Sequence, residues 1–186
     1  MSTSCIECKK DDYESRYSMK CRKKAKMACS GRGMEIDLRD REGETIGLTS
    51  VTIDFHDLIK PLVKIDFSGI VEFEGVATSF FEPPGLELEL QFILSRICED
   101  GVEEELETYN YLRAFGISSD PPFDVLLART EDPVSFTFCD SINACLEGPC
   151  TYAVSVFVSS ATLPEVLVAR INDTFVNAIA QGLVLC

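Results

Sequence analysis

The stretch LELELQFILS, residues 86–95, decides the fold. Leu86, Leu88, Leu90, Phe92 and Leu94 alternate there with Glu87, Glu89, Gln91, Ile93 and Ser95. A period of two places the leucines on one face of an extended strand and the glutamates on the other. One face is buried and the other largely wet, which is the pattern of an antiparallel sandwich. Turn residues bound the run: Pro83, Pro84 and Gly85 before it, Glu99, Asp100 and Gly101 after it.

The same period extends outward from this run. Met34, Ile36 and Leu38 alternate with Glu35, Asp37 and Arg39 before a turn at Glu42, Gly43 and Glu44. Leu48, Val51, Ile53 and Phe55 make a second strand, and Leu62 to Phe73 a long one whose phase slips at Ser68 and Gly69, the mark of a bulge or corner. Glu103 to Phe115 fits a helix through Val102, Leu106, Tyr109 and Leu112, and a strand through Tyr109, Tyr111, Arg113 and Phe115. The tyrosines and the preceding Asp-Gly favour the strand. After Pro121 and Pro122, Phe123 to Arg129, Val134 to Cys139 and Thr151 to Ser159 read as three more. The end is divided: Thr162 and Glu165 form a helix capping box, while Val166 to Leu185 reads almost as well as two strands around Asn172 and Asp173. Eight to ten strands separated by turns predict an all-β antiparallel sandwich or jelly-roll over residues 34–186.

Residues 1–33 lack periodicity and carry nine Lys and Arg against four acids, leaving eight basic and 27 acidic residues for the rest of a chain of net charge −14. Lys20 to Met27 has the length of two helical turns but no apolar face. The segment is expected to be a flexible basic arm, either solvated or docked on the acidic body of a neighbouring copy. The acidic balance disfavours nucleic acid and anionic membrane as partners. No apolar run approaches the ~20 residues of a membrane span, and no signal-peptide core follows Met1. Cytoplasmic synthesis is expected, with exposure to oxidant only later.

Nine cysteines lie mostly at tips and tails. Cys5, Cys8, Cys21 and Cys29 fall in the arm, Cys139, Cys145 and Cys150 bracket a loop between two strand-like runs, and Cys186 ends the sequence, while Cys98 alone closes a core-like segment. In that loop Cys139 and Cys150 can face each other across a hairpin, leaving Cys145 at the tip to pair outward. An odd number means that full oxidation leaves at least one thiol free or joined to another chain. Cys5 and Cys8 form a zinc half-site that either Cys21 and Cys29 or Cys145 and Cys150 can complete, although those spacings are loose for a zinc ribbon.

Little else carries chemistry. The sole histidine, His56, lies between Asp54 and Asp57, too few groups for a cupin-like metal site and a poor basis for a catalytic triad. Paired acids are inevitable among 31 of them. No enzymatic activity and no cofactor is expected.

LTSVTIDF (48–55), KPLVKIDFSGI (60–70), LQFILSRICEDG (90–101), and SFTFCD (135–140) with Cys145 and GPCTY (148–152) resemble a clostridial family of small uncharacterised proteins. The resemblance covers the chain from about Leu48 onward and implies a β-sandwich with a cysteine-bearing hairpin and no known activity. His56 and Asp57 stand where that family often has a cysteine, and the basic arm is longer. The layout of a cysteine-bearing arm on a jelly-roll also resembles bacillus spore-appendage subunits. Taken together, the sequence predicts a structural subunit that assembles with itself into an oligomer or filament. Intermolecular disulfides from arm, hairpin and C-terminus would join the copies at a spore or cell surface. The alternatives are a β-sandwich binding a glycan or small ligand through Tyr109, Tyr111 or Phe80 and Phe81, and a zinc-stabilised cytosolic module.

Overall fold

The alternation at 86–95 becomes a strand, Gly85–Ile97, with Leu88, Leu90, Phe92 and Leu94 all buried. The computed structural model describes residues 21–78, 85–116, 125–142, 148–162 and 166–185. In chain order the strands are β1 (Cys21–Cys29), β2 (Ile36–Asp37), β3 (Thr45–Asp54), β4 (Ile59–Thr78), β5 (Gly85–Ile97), β6 (Glu103–Gly116), β7 (Val125–Ser141), β8 (Pro149–Thr162) and β9 (Val166–Leu185). The first sheet runs β1-β9-β4-β7, with the short β2 also on β9, and the second runs β3-β8-β5-β6. All pairings are antiparallel, so the described residues form the expected sandwich with jelly-roll-like strand order. No helix occurs among them.

The core lies between the sheets. Val63, Ile65, Phe67, Val71 and Phe73 of β4 face Leu88, Leu90, Phe92 and Leu94 of β5 and Tyr152, Val154, Val156 and Val158 of β8. Aromatic rings stitch the layers together: Phe67 lies 5.7 Å from Phe92 between ring centroids, and Tyr109 stacks on Phe136 at 3.9 Å. Each such side chain taken out of water contributes about 1.5–3 kcal/mol, which is what holds two otherwise separate sheets face to face.

Four expectations change. First, Cys21–Cys29 is neither a helix nor loose: it is an edge strand paired with β9 from Cys21 opposite Leu185 to Cys29 opposite Asn177. It has no apolar stripe because backbone hydrogen bonding to β9, more than burial, holds it in place. Second, the phase slip near Gly69 belongs to β9. Burial along β4 alternates without a break, while Ser68 pairs with Phe175 and Ile70 with Asn172, so Asp173 and Thr174 together oppose Gly69. Asp173 takes a left-handed conformation (φ 49°), and the bulge switches the inward positions from Ala169 and Ile171 to Thr174, Val176 and Ala178. That switch is why the sequence reads as two strands around Asn172.

Third, the described part of the first run, from Val125, and 134–139 belong to one strand. Pro133 interrupts nothing, because β7 is the sheet's edge and hydrogen-bonds only to β4. Fourth, β7 and β8 are not a hairpin: they lie in different sheets, and the chain crosses the sandwich between them. Residues 163–165 of the expected capping box lie outside the described residues.

Candidate functional site

The described part of the basic segment, from Cys21, meets acidic residues of its own chain. Alternation along β1 turns Lys24 and Lys26 toward the loop after β3, where Lys24 Nζ bonds Asp57 at 3.1 Å and Lys26 lies 3.7 Å from both Asp54 and Asp57. The Lys24 ammonium holds the Asp57 carboxyl below its ordinary range, with Lys26 adding to it. Met27 and Cys29, on the alternate positions, face outward from the first sheet.

The cysteines divide sharply. Cys98, at the end of β5, and Cys150, at the start of β8, close a disulfide with Cα atoms 4.1 Å apart, the spacing of directly opposed residues in an antiparallel ladder. The neighbouring pair Ile97 and Thr151 sets that register. Cys150 is buried, so it is neither an intermolecular joint nor the partner of Cys139. Cys139 lies in the other sheet opposite Lys64 and faces outward, because its neighbour Asp140 takes the inward position. Cys29 and Cys139 are free and exposed.

Cys21 and Cys29 sit at opposite ends of β1, eight residues or about 26 Å apart, too far to share one zinc ion. Cys150 is likewise unavailable as a zinc ligand. Cys5, Cys8, Cys145 and Cys186 lie outside the described residues, as do Phe80 and Phe81, and the side chain of Cys21 is not described. Among the described residues no three His, Cys, Asp or Glu are gathered to hold a metal ion.

Beside the disulfide lies a polar cluster that the sequence did not announce. Asp140 of β7 accepts hydrogen bonds from Arg96 of β5 and, at 2.9 Å, from the fully buried Tyr152 hydroxyl of β8, joining the two sheets. Arg96 also binds Glu104 of β6. Burial first, then the Asp140 charge, pushes the Tyr152 hydroxyl far above its ordinary range. Burial disfavours the Arg96 charge, but Asp140 and Glu104 outweigh it and raise its pKa.

A second inter-sheet tie has Tyr111 and Arg113 of β6 both donating to Asp132 of β7 at 2.7 Å. Burial opposes the Asp132 charge, yet these two donors hold its carboxyl below the ordinary range. Tyr109 and Tyr111 are thus half-buried in internal contacts and not displayed for a ligand. His56 occupies an exposed turn in which its backbone N–H donates to Asp54 Oδ1 at 2.9 Å. A pocket of about 110 Å³ between Glu35, Asp37, Arg39, Leu167 and Arg170 is well below the roughly 300 Å³ of a small-molecule site. No described helix is long and apolar enough to cross a membrane.

Among the described residues, Arg96, Asp140 and Tyr152, and likewise Tyr111, Arg113 and Asp132, are paired with one another across the two sheets. The free thiols among the described residues, Cys29 and Cys139, share the outer face of the first sheet. Residues 27–181 match the model of a domain of unknown function, DUF4489. The chain belongs to the DUF4489 family. The match begins at Met27, so it takes in the last part of β1, and ends within β9. No curated protein matches this family member in sequence.

Among solved structures, it is similar to infectious bursal disease virus of the Gt strain at 12% identity and a TM-score of 0.40, covering 88% of this chain and 38% of that one. It is also similar to the VP2 subviral particle of that virus at 15% identity and a TM-score of 0.34, covering 88% and 38%. The chain spans well under half the length of these viral proteins.

Proposed function

We propose that this member of the DUF4489 family is a non-catalytic structural subunit that assembles with copies of itself into an oligomer or filament. Intermolecular disulfides join the copies at a spore or cell surface. The observation that carries the reading is the division among the described cysteines. Cys98 and Cys150 are consumed inside the protomer, while Cys29 and Cys139 are free and exposed on the outer face of the first sheet. A closed disulfide suits a protein that meets an oxidant, and exposed thiols on the same molecule are then available for joints between copies. Each joint forms by thiol–disulfide exchange: a small-molecule disulfide takes the two electrons and leaves as two thiols.

The dispersal of the polar groups supports the absence of catalysis. His56, the one ordinary general base near neutral pH, stands in an exposed turn, and the acids Glu72, Asp132 and Asp140 serve as partners for Arg and Tyr. Non-reducing electrophoresis of native material, paired with electron microscopy, tests the reading. A ladder of covalent multimers that collapses with reductant is expected, with repeating particles or fibres in the micrographs. Monomer alone, with particle size unchanged by reductant, would overturn it.

A further inference from the structure

The outward face of the first sheet carries exposed apolar side chains among few charges. In register across β1, β9, β4 and β7, one row holds Met27, Ile179, Lys64 and Cys139, and the next holds Cys29, Asn177, Asp66 and Thr137. Leu62 and Phe175 flank these rows. Met27 is 71% exposed, Leu62 50%, Ile179 39% and Phe175 38%. Between the rows of Ala25 and Phe175 the only charged outward positions are Lys64 and Asp66, which bind each other at 2.8 Å, with Thr137 donating to Asp66 at 2.6 Å. On a chain of net charge −14 this area is electrically balanced and partly apolar. Depletion of charge with exposed Met and aromatic residues is the compositional mark of an interface core.

We propose that this face docks against the same face of a second copy, with Cys29 and Cys139 at its rim. This rests on the reading of the chain as a self-associating subunit, and it names where the copies meet. A second copy is the occupant that the charges favour. Two acidic molecules repel across most orientations, and this face meets its own image without opposing like charges. A twofold axis makes every contact occur twice, so a face with a central Lys64–Asp66 pair can set each Lys64 against the Asp66 of the other copy. The two free thiols lie at opposite edges, on β1 and β7, about 14 Å apart across three strand intervals. Four strands by about 20 Å of length give roughly 400 Å² of sheet, about half of what each partner contributes to a standard interface. The contact alone is weak, as suits a subunit whose permanent joints are covalent.

The full chain is studied by sedimentation velocity over a range of concentrations in reductant, with maleimide capture of Cys29 and Cys139 followed by peptide mass mapping. The wild type is expected to shift from monomer to dimer as concentration rises, while capture of both thiols slows severalfold. Ile179→Glu, on the outward side of β9, is expected to stay monomeric with capture rates independent of concentration. Leu62→Glu serves equally should Ile179→Glu lose its circular-dichroism signature. Leu112→Glu, an exposed position on β6 in the other sheet, is expected to behave as wild type. If Ile179→Glu and Leu62→Glu associate like the wild type, this face is wrong while self-association stands. If the wild type remains monomeric at every concentration, with or without a small-molecule disulfide, both the face and the assembly are wrong.

Discussion

Asp140 is a buried acid whose partners come from two strands of the opposite sheet, β5 and β8. Its side chain is 9% exposed and that of Arg96 17%, and Tyr152 has no exposed surface at all. Removing the carboxylate strands the Tyr152 hydroxyl and leaves the half-buried Arg96 guanidinium with only the exposed Glu104, whereas removing the hydroxyl alone leaves the ion pair intact. Asp140→Ala is therefore expected to cost about 3–5 kcal/mol and Tyr152→Phe about 1 kcal/mol in urea denaturation. Equal effects from the two would show that the ion pair contributes little. In the sequence Asp140 is only the residue after Cys139, and its inward position follows from the β7 alternation. Its partners are 44 and 12 residues away, so the cluster is not legible before the sheets are assembled.

At the scale of elements, the strands that carry their own apolar stripe were readable and those held by a neighbour were not. β5 announces itself through four buried side chains on one face, and the Tyr-rich β6 follows its strand reading. β1 has no such stripe, and only the open edge of β9 makes it a strand. Its ion pairs to Asp54 and Asp57 are largely exposed, where water and salt screen them, so they contribute little to holding the strand. β1 amides are accordingly expected to exchange with deuterium well before those of β4, and Lys24→Glu with Lys26→Glu to hasten that exchange without unfolding the sandwich. Exchange of β1 as slow as β4 would place it in the cooperative core.

The Cys98–Cys150 bond ties the ends of β5 and β8 across 52 residues of sequence. The chain-entropy argument gives about 4 kcal/mol for a loop of that length, so Cys98→Ala with Cys150→Ala is expected to lose about 2–4 kcal/mol. No spacing rule reveals that pairing, because it depends on the register of two strands distant in sequence. The expected Cys139–Cys150 hairpin used sequence proximity where the chain in fact changes sheets.

Across the whole molecule, acid should weaken the fold through the carboxylates that link its strands. Glu72 is held below its ordinary range chiefly by Arg170, Asp66 by Lys64 and Thr137, Asp57 by Lys24, and Asp132 by Tyr111 and Arg113 against its burial. A carboxyl whose folded pKa is depressed binds fewer protons in the native state than in the unfolded one. Its contribution is complete above the ordinary values of 3.8 for Asp and 4.5 for Glu, and is lost as pH falls through the folded pKa. Stability should therefore be level from neutral pH to about pH 5 as far as these groups decide it, and fall steeply below about pH 4. Urea titrations at stepped pH measure this, and Glu72→Gln separates the causes. The amide side chain keeps a polar group beside Arg170 and Asn172 but cannot titrate, so the variant should lose stability at pH 7 and show a shallower decline in acid. A variant as acid-sensitive as the wild type would mean that the decline comes from other carboxylates. The pairing of Glu72 with Arg170 and Asn172, which spans β4 and β9, would then contribute nothing measurable to the first sheet.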